Sequence, residues 1–97
     1  MSFELHPGAE KDLEKTIDFY LKNAGQVIAE RFLEEFYRAA NYLVENPEIV
    51  SRAGNGHRSY PLHVFPYSVV YVTPENRIRI LVVRHHRRRP SFGVRRT

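Results

Sequence analysis

Tyr67-Ser68-Val69-Val70-Tyr71-Val72-Thr73-Pro74-Glu75-Asn76-Arg77-Ile78-Arg79-Ile80-Leu81-Val82-Val83-Arg84 is the stretch that decides the architecture. Its two ends are rich in β-branched and aromatic residues, the composition of strands. Pro74-Glu75-Asn76 between them is turn chemistry, so the runs read as a hairpin. Just upstream, Arg58-Ser59-Tyr60-Pro61-Leu62 gives a third strand. Pro61 cannot donate to a ladder, so that strand is irregular or lies at an edge. Ser51-Arg52-Ala53-Gly54-Asn55-Gly56 before it is a loop.

Further upstream the apolar period changes. Ile28, Phe32, Phe36, Ala39 and Leu43 recur at helical spacing, and Leu33, Tyr37, Ala40 and Val44 widen the stripe. This helix runs from about Gln26 to Asn46 and is stopped by Pro47. Ala9, Leu13, Ile17, Tyr20 and Ala24 form a matching stripe on an earlier helix, capped by Gly25. Pro7 suits its first turn, and Glu10 and Asp12 place negative charge near its positive end. Phe3-Glu4-Leu5-His6 alternates as a short strand. The expected fold class is α+β in the order β-α-α-β-β-β. An N-terminal strand precedes an antiparallel two-helix hairpin and a mostly antiparallel three-strand segment, with the helices on one sheet face.

The chain is 97 residues, one domain over residues 1–97 with a basic tail from about 85 to 97. It has no cysteine, which excludes disulfides, a thiolate nucleophile and Cys-type zinc sites. Ile80-Leu81-Val82-Val83 is the longest aliphatic run, far short of the roughly 20 residues of a membrane helix. The start lacks a secretory pattern, so a cytoplasmic protein with no membrane partner is expected.

Charge is divided sharply. Residues 1–50 carry five basic and ten acidic side chains, and residues 51–97 carry ten basic and one acidic. All ten of those later cations are arginine, whose planar fork grips phosphate or carboxylate with two bonds. Arg84, Arg87, Arg88 and Arg89 crowd the end of the last strand, and this cluster is the strongest functional signal. Arg58 on a neighbouring strand is expected to converge on it. Tyr60, Tyr67 and Tyr71 interleave with the cations, as stacking groups or as sheet-face residues with a hydroxyl at the rim. His85 and His86 are strand neighbours pointing to opposite faces, so they cannot share a metal, and none is expected. One of them is expected to share a face with Leu81 and Val83, the other with Val82. Gly54-Asn55-Gly56 is no phosphate loop, and no serine sits in a nucleophile motif.

The element order, with His6-Pro7-Gly8-Ala9-Glu10-Lys11-Asp12-Leu13 opening the first helix, resembles the RelE/ParE superfamily of bacterial toxins. Arg31-Phe32, Asn46-Pro47, Phe65-Pro66-Tyr67-Ser68-Val69-Val70-Tyr71 and His85-His86-Arg87-Arg88-Arg89-Pro90 extend the resemblance over nearly the whole chain. It implies a toxin of a type II toxin–antitoxin module, with a cognate antitoxin as partner, a hetero-oligomer of the two, and no cofactor. Phe65-Pro66-Tyr67 and the His85–Arg88 tail look more like the ParE branch, which implies inhibition of DNA gyrase by protein contact. Arg58, Tyr67, Tyr71, Arg84, His85, Arg87, Arg88 and Arg89 would then bind target or antitoxin. The alternative implied is a RelE-like endoribonuclease that cuts mRNA on the ribosome. There His85 would be the acid or base, with Arg58 and Arg88 on phosphate. Against that branch, Phe92 stands where nucleases commonly carry a tyrosine, and Lys11, Lys15 and Lys22 sit amid acids.

Overall fold

The computed structural model describes residues 2–97. Strand β1 (Phe3–Leu5) leads into helices α1 (Pro7–Asn23) and α2 (Gln26–Glu45). Strands β2 (Arg58–Pro61), β3 (Tyr67–Val72) and β4 (Ile78–His85) follow, with a 3-10 turn at Pro74–Asn76 before β4. The sheet order is β1-β4-β3-β2; β1 pairs parallel to β4 and the other pairs are antiparallel. The expected class and element order hold, with element ends shifted by a residue or so.

Each helix end has a local cause. His6 Nδ1 accepts the Gly8 amide at 2.9 Å, capping α1 with Pro7 at its first position. At the other end Tyr20 O accepts from both Ala24 and Gly25. Gly25 has φ +94°, a conformation that L side chains resist, and it starts the reversal into α2. Ala9 and Leu13 are buried, and so are Phe32, Phe36, Ala39 and Leu43 on the facing stripe. The widened α2 stripe is covered only in part: Ala40 and Val44 are buried and Leu33 is half-buried against the core, whereas Tyr37 on the same side is exposed. Tyr20, Phe32, Phe65 and Tyr67 then meet edge-on or tilted at 5.3–5.6 Å between centroids along most contacts, locking the helices to β3.

β4 does not alternate cleanly. Val70 pairs with Val82 but Tyr71 pairs with Ile80, so Leu81 is an extra residue, a β-bulge. The bulge turns Leu81 onto the face of Val82 instead of the face of Val83 as expected. Leu81, Val82 and Val70 form a second small core on the side away from the helices, with Phe92 packed over it. Ile78, Ile80 and Val83 stay in the main core.

β1 is shorter than β4 and leaves part of its edge unpaired. The parallel pairing stops at Leu5 and Ile80, extended by the His6 amide on Ile80 O. Two side chains take over there. Asp12 Oδ2 accepts the Val83 amide at 3.1 Å, and Arg96 Nη1 donates to Leu81 O at 3.0 Å. The two also pair with each other, Nη1 to Oδ2 at 2.6 Å and Nη2 to Oδ1 at 3.3 Å. Asp12 is buried, not spread on the helix surface as a charge for the dipole. Glycines make the approach possible. A Cβ on Gly8 would lie 2.5 Å from Arg96 Nε, and one on Gly93 would lie 2.6 Å from a Val82 methyl.

Two outcomes are expected. Asp12→Ala leaves Arg96 without its carboxylate and Val83 without an acceptor, so stability should fall by about 3 kcal/mol. A denaturant midpoint equal to that of the unaltered chain would refute the role. The second concerns acid. Burial and then the nearby Arg79 and Arg96 hold the His6 imidazole below its ordinary pKa, with Asp12 partly opposing. The unfolded chain therefore binds the proton more readily, so stability is full above about pH 6.5 and falls as pH drops through the folded pKa. His6→Asn caps without titrating, and should flatten that fall in thermal melts from pH 7 to 5.

Candidate functional site

The groove that gathers the sequence-predicted residues lies between the second half of α1, the end of β4 and the tail. Helical spacing sets Asp12, Lys15, Thr16 and Phe19 along one side of α1, facing β4. The bulge restores Val83 and His85 to the helix-facing side of β4. His85 meets Tyr67, its cross-strand partner, edge-on at 4.8 Å. A cavity of about 460 Å³ results, lined among others by Lys15, Phe19, Tyr20, Tyr67, His85 and Arg88.

The chain turns sharply after β4. The Arg87 amide donates to His85 Nδ1 at 2.9 Å and the Arg88 amide to His85 O at 2.9 Å. The first bond needs an unprotonated Nδ1, so the neutral ring carries its proton on Nε2. Burial, followed by Arg87, His86 and Arg88, lowers the His85 pKa and favours that neutral form. Arg87, Arg88 and Arg89 are exposed on this turn. Arg88 lies over the Phe92 ring at 4.5 Å and Arg96 approaches it at 5.1 Å. None of the three turn arginines has an ion-pair partner among the described residues.

His86 and Arg84 go to the other face. His86 Nε2 lies 3.0 Å from Ser68 Oγ, and Arg84 Nη1 donates to Pro90 O at 3.0 Å. The two histidines thus point apart, as their adjacency requires.

Arg58 does not join the cluster. It is 7% exposed, on the helix-facing side opposite Tyr71, well along the sheet from His85. Its Nη1 donates to Val50 O, and Glu48 Oε2 lies 3.6 Å from Nη2. Tyr71 is fully buried beside it, its hydroxyl donating to Pro47 O at 2.9 Å. Both side chains hold the connection between α2 and β2. A cation read only from its place in a strand gives no hint of a carbonyl waiting eight residues upstream.

Lys15 and Asp12 escaped the sequence reading of the site, whereas Phe92 and Arg96 entered it only as tail residues, Phe92 at the position where nucleases carry a tyrosine and Arg96 beyond the arginine cluster. Lys15 carried one faint signal: it is four residues before the exposed Phe19, and three after an aspartate on the same helix side. The others depend on the path of the tail, which no periodicity encodes.

The family model described as "ParE toxin of type II toxin-antitoxin system, parDE" matches residues 3–90. Nine chains of solved structures match as well. One, titled "Chromosomal ParDE TA system from P. aeruginosa", has a TM-score of 0.74 at 24% identity, over 88% of this chain and 95% of that chain. That likeness supports the fold. A comparison with curated protein sequences found no match. The matched segment takes in all four strands, both helices and the arginine turn after β4, and this chain therefore belongs to the ParE family of type II toxins.

Proposed function

We propose that the chain inhibits DNA gyrase by protein contact and is held inactive by a cognate antitoxin, working in the cytoplasm. No helix among the described residues is long and apolar enough to cross a membrane. The observation that carries the gyrase reading is the turn after β4. It presents Arg87, Arg88 and Arg89 to solvent just past the end of β4, with no ion-pair partner among the described residues. Adjacent guanidiniums repel, and an anionic partner surface relieves that repulsion. Gyrase with its bound DNA would offer carboxylate or phosphate there.

The RNA-cleaving alternative loses support on geometry. It needs an acid or base with cations around one phosphate. His85 and Arg88 share the groove, but Arg58 is committed to Val50 and Glu48 on another part of the sheet. Phe92 in the groove wall can stack but carries no proton to donate.

Gyrase with ATP and relaxed plasmid should lose supercoiling activity when the purified chain is added, and the antitoxin should restore it. Joint reversal of Arg87, Arg88 and Arg89 to Glu should raise the inhibitory concentration at least about tenfold, whereas His85→Ala should shift it less than about twofold. Full gyrase activity at excess chain, with mRNA cut in a translating extract and uncut with His85→Ala, would replace this reading by the nuclease one. Antitoxin affinity should fall as salt rises from 0.05 to about 0.5 M, since screening weakens contact with so basic a half. An affinity indifferent to salt would point to an apolar interface instead.

A further inference from the structure

The loop between α2 and β2 carries Gly54-Asn55-Gly56, a motif that neither the groove nor the arginine turn uses. Asn23, Asn41, Asn46 and Asn76 precede Ala, Tyr, Pro and Arg, so Asn55 is the one asparagine followed by glycine. Residues 51–56 are all exposed. Gly56 has φ +85°, and nothing beyond its chain neighbours lies within 4 Å of where a Cβ would be. No side chain therefore covers that side of the Gly56 amide.

The Asn55 side chain is folded forward along the chain. Its Oδ1 accepts the His57 amide at 3.0 Å, closing a ring that contains the Gly56 nitrogen. The ring keeps the side-chain carbonyl carbon close to that nitrogen. His57 N–H also sits on the oxygen where negative charge develops when the nitrogen attacks, as an oxyanion donor does. One contact opposes the attack, the Gly56 amide on Ala53 O at 2.9 Å. It belongs to an exposed turn, which opens locally at little cost.

We infer that Asn55 is a self-modifying site, at which the folded chain converts its own side-chain amide to a carboxylate. The Gly56 nitrogen gives its proton to water and bonds to Asn55 Cγ. The bond from Cγ to the side-chain nitrogen breaks, and that nitrogen takes up a proton and leaves as ammonia. Water then opens the cyclic imide at one carbonyl or the other. The products are aspartate and its isomer, in which the chain runs through the side chain. Neither an oxidant nor an enzyme enters the balance.

The new charge arises where the surroundings favour it. Asn55 lines a cavity of about 330 Å³ on the sheet face away from the helices, with Arg52, His57 and Arg84 also in its wall. The lining contains no carboxylate. Neither Arg52 nor Arg84 has an ion-pair partner among the described residues. An aspartate at 55 finds cations at hand, and its oxygen still accepts the His57 amide.

The test is to hold the purified, folded chain for several days in warm neutral buffer and map its peptides by mass spectrometry. Residue 55 should gain about 1 Da, in two separable isomers. It should do so at least about tenfold faster than any other asparagine, because only there does glycine follow. The converted chain should elute from a cation exchanger with one positive charge fewer, its aspartate part alongside Asn55→Asp. Asn55→Gln keeps the amide on a longer arm and should gain nothing at residue 55; an unchanged unfolding midpoint verifies its fold. The folded chain should convert no more than about tenfold more slowly than the same chain in urea. A larger slowing would show that the turn protects Asn55, and would overturn the inference. Conversion centred on another asparagine would overturn it as well.

Discussion

β4 outlasts the strand beside it, and much of the molecule is arranged around that mismatch. A backbone donor or acceptor left unpaired in a protein interior costs about as much as a lost hydrogen bond, so each must find a partner. β1 serves β4 only to Ile80. Asp12 and Arg96 then meet the next amide and carbonyl, and their charges neutralise each other while doing so. This fixes the rotation of α1 about its axis, because Asp12 has to face the sheet. It also brings the tail back across the end of the sheet, where Phe92 covers the small outer core of Val70, Leu81 and Val82.

The functional groove follows from the same arrangement. With Asp12 turned inward, Lys15 and Phe19 come to line the edge of β4 one and two turns further along α1. The bulge at Leu81 decides which strand residues lie opposite them. Without it, His85 would share its face with Leu81 and point away from α1. The returning tail supplies Phe92, on which Arg88 rests. Cations, aromatic walls and open backbone thus meet in one place although they come from three distant parts of the chain.

Much of this was legible in the residues. Helical spacing, the Gly25 turn and the Pro47 stop mark the hairpin, because each acts on its own stretch of backbone. The β-branched runs and Pro74 mark the strands for the same reason. Other features depend on partners far along the chain. The bulge has no local signature, since Ile80-Leu81-Val82-Val83 is apolar throughout and gives no alternation to break. The parallel pairing of β1 is set by a crossover through both helices. Arg58 reads as one more surface arginine until the chain before β2 folds over it and offers the Val50 carbonyl. His85 and Tyr67 meet as cross-strand partners and Arg88 follows on the turn three residues after His85, the kind of proximity that neighbouring strands and short chain separation do encode.

Gly8 and Gly93 touch the same feature from opposite sides, one beneath the Arg96 guanidinium and one against Val82. The helix does not need Gly8 for its own conformation, whereas Gly93, at φ +75°, also suits the left-handed turn it sits in; both leave room for a side chain or strand remote in sequence. The positions 8, 12, 93 and 96 therefore make up one unit of inheritance. A side chain gained at residue 8 collides only while Arg96 is there, and the loss of Arg96 strands both the Asp12 carboxylate and the Leu81 carbonyl. Substitutions within this group are epistatic, so evolution can cross from one tail arrangement to another only by moving several of the four together. Residues 91–97 lie beyond the segment matched by the family, and this coupling binds that stretch to the shared fold.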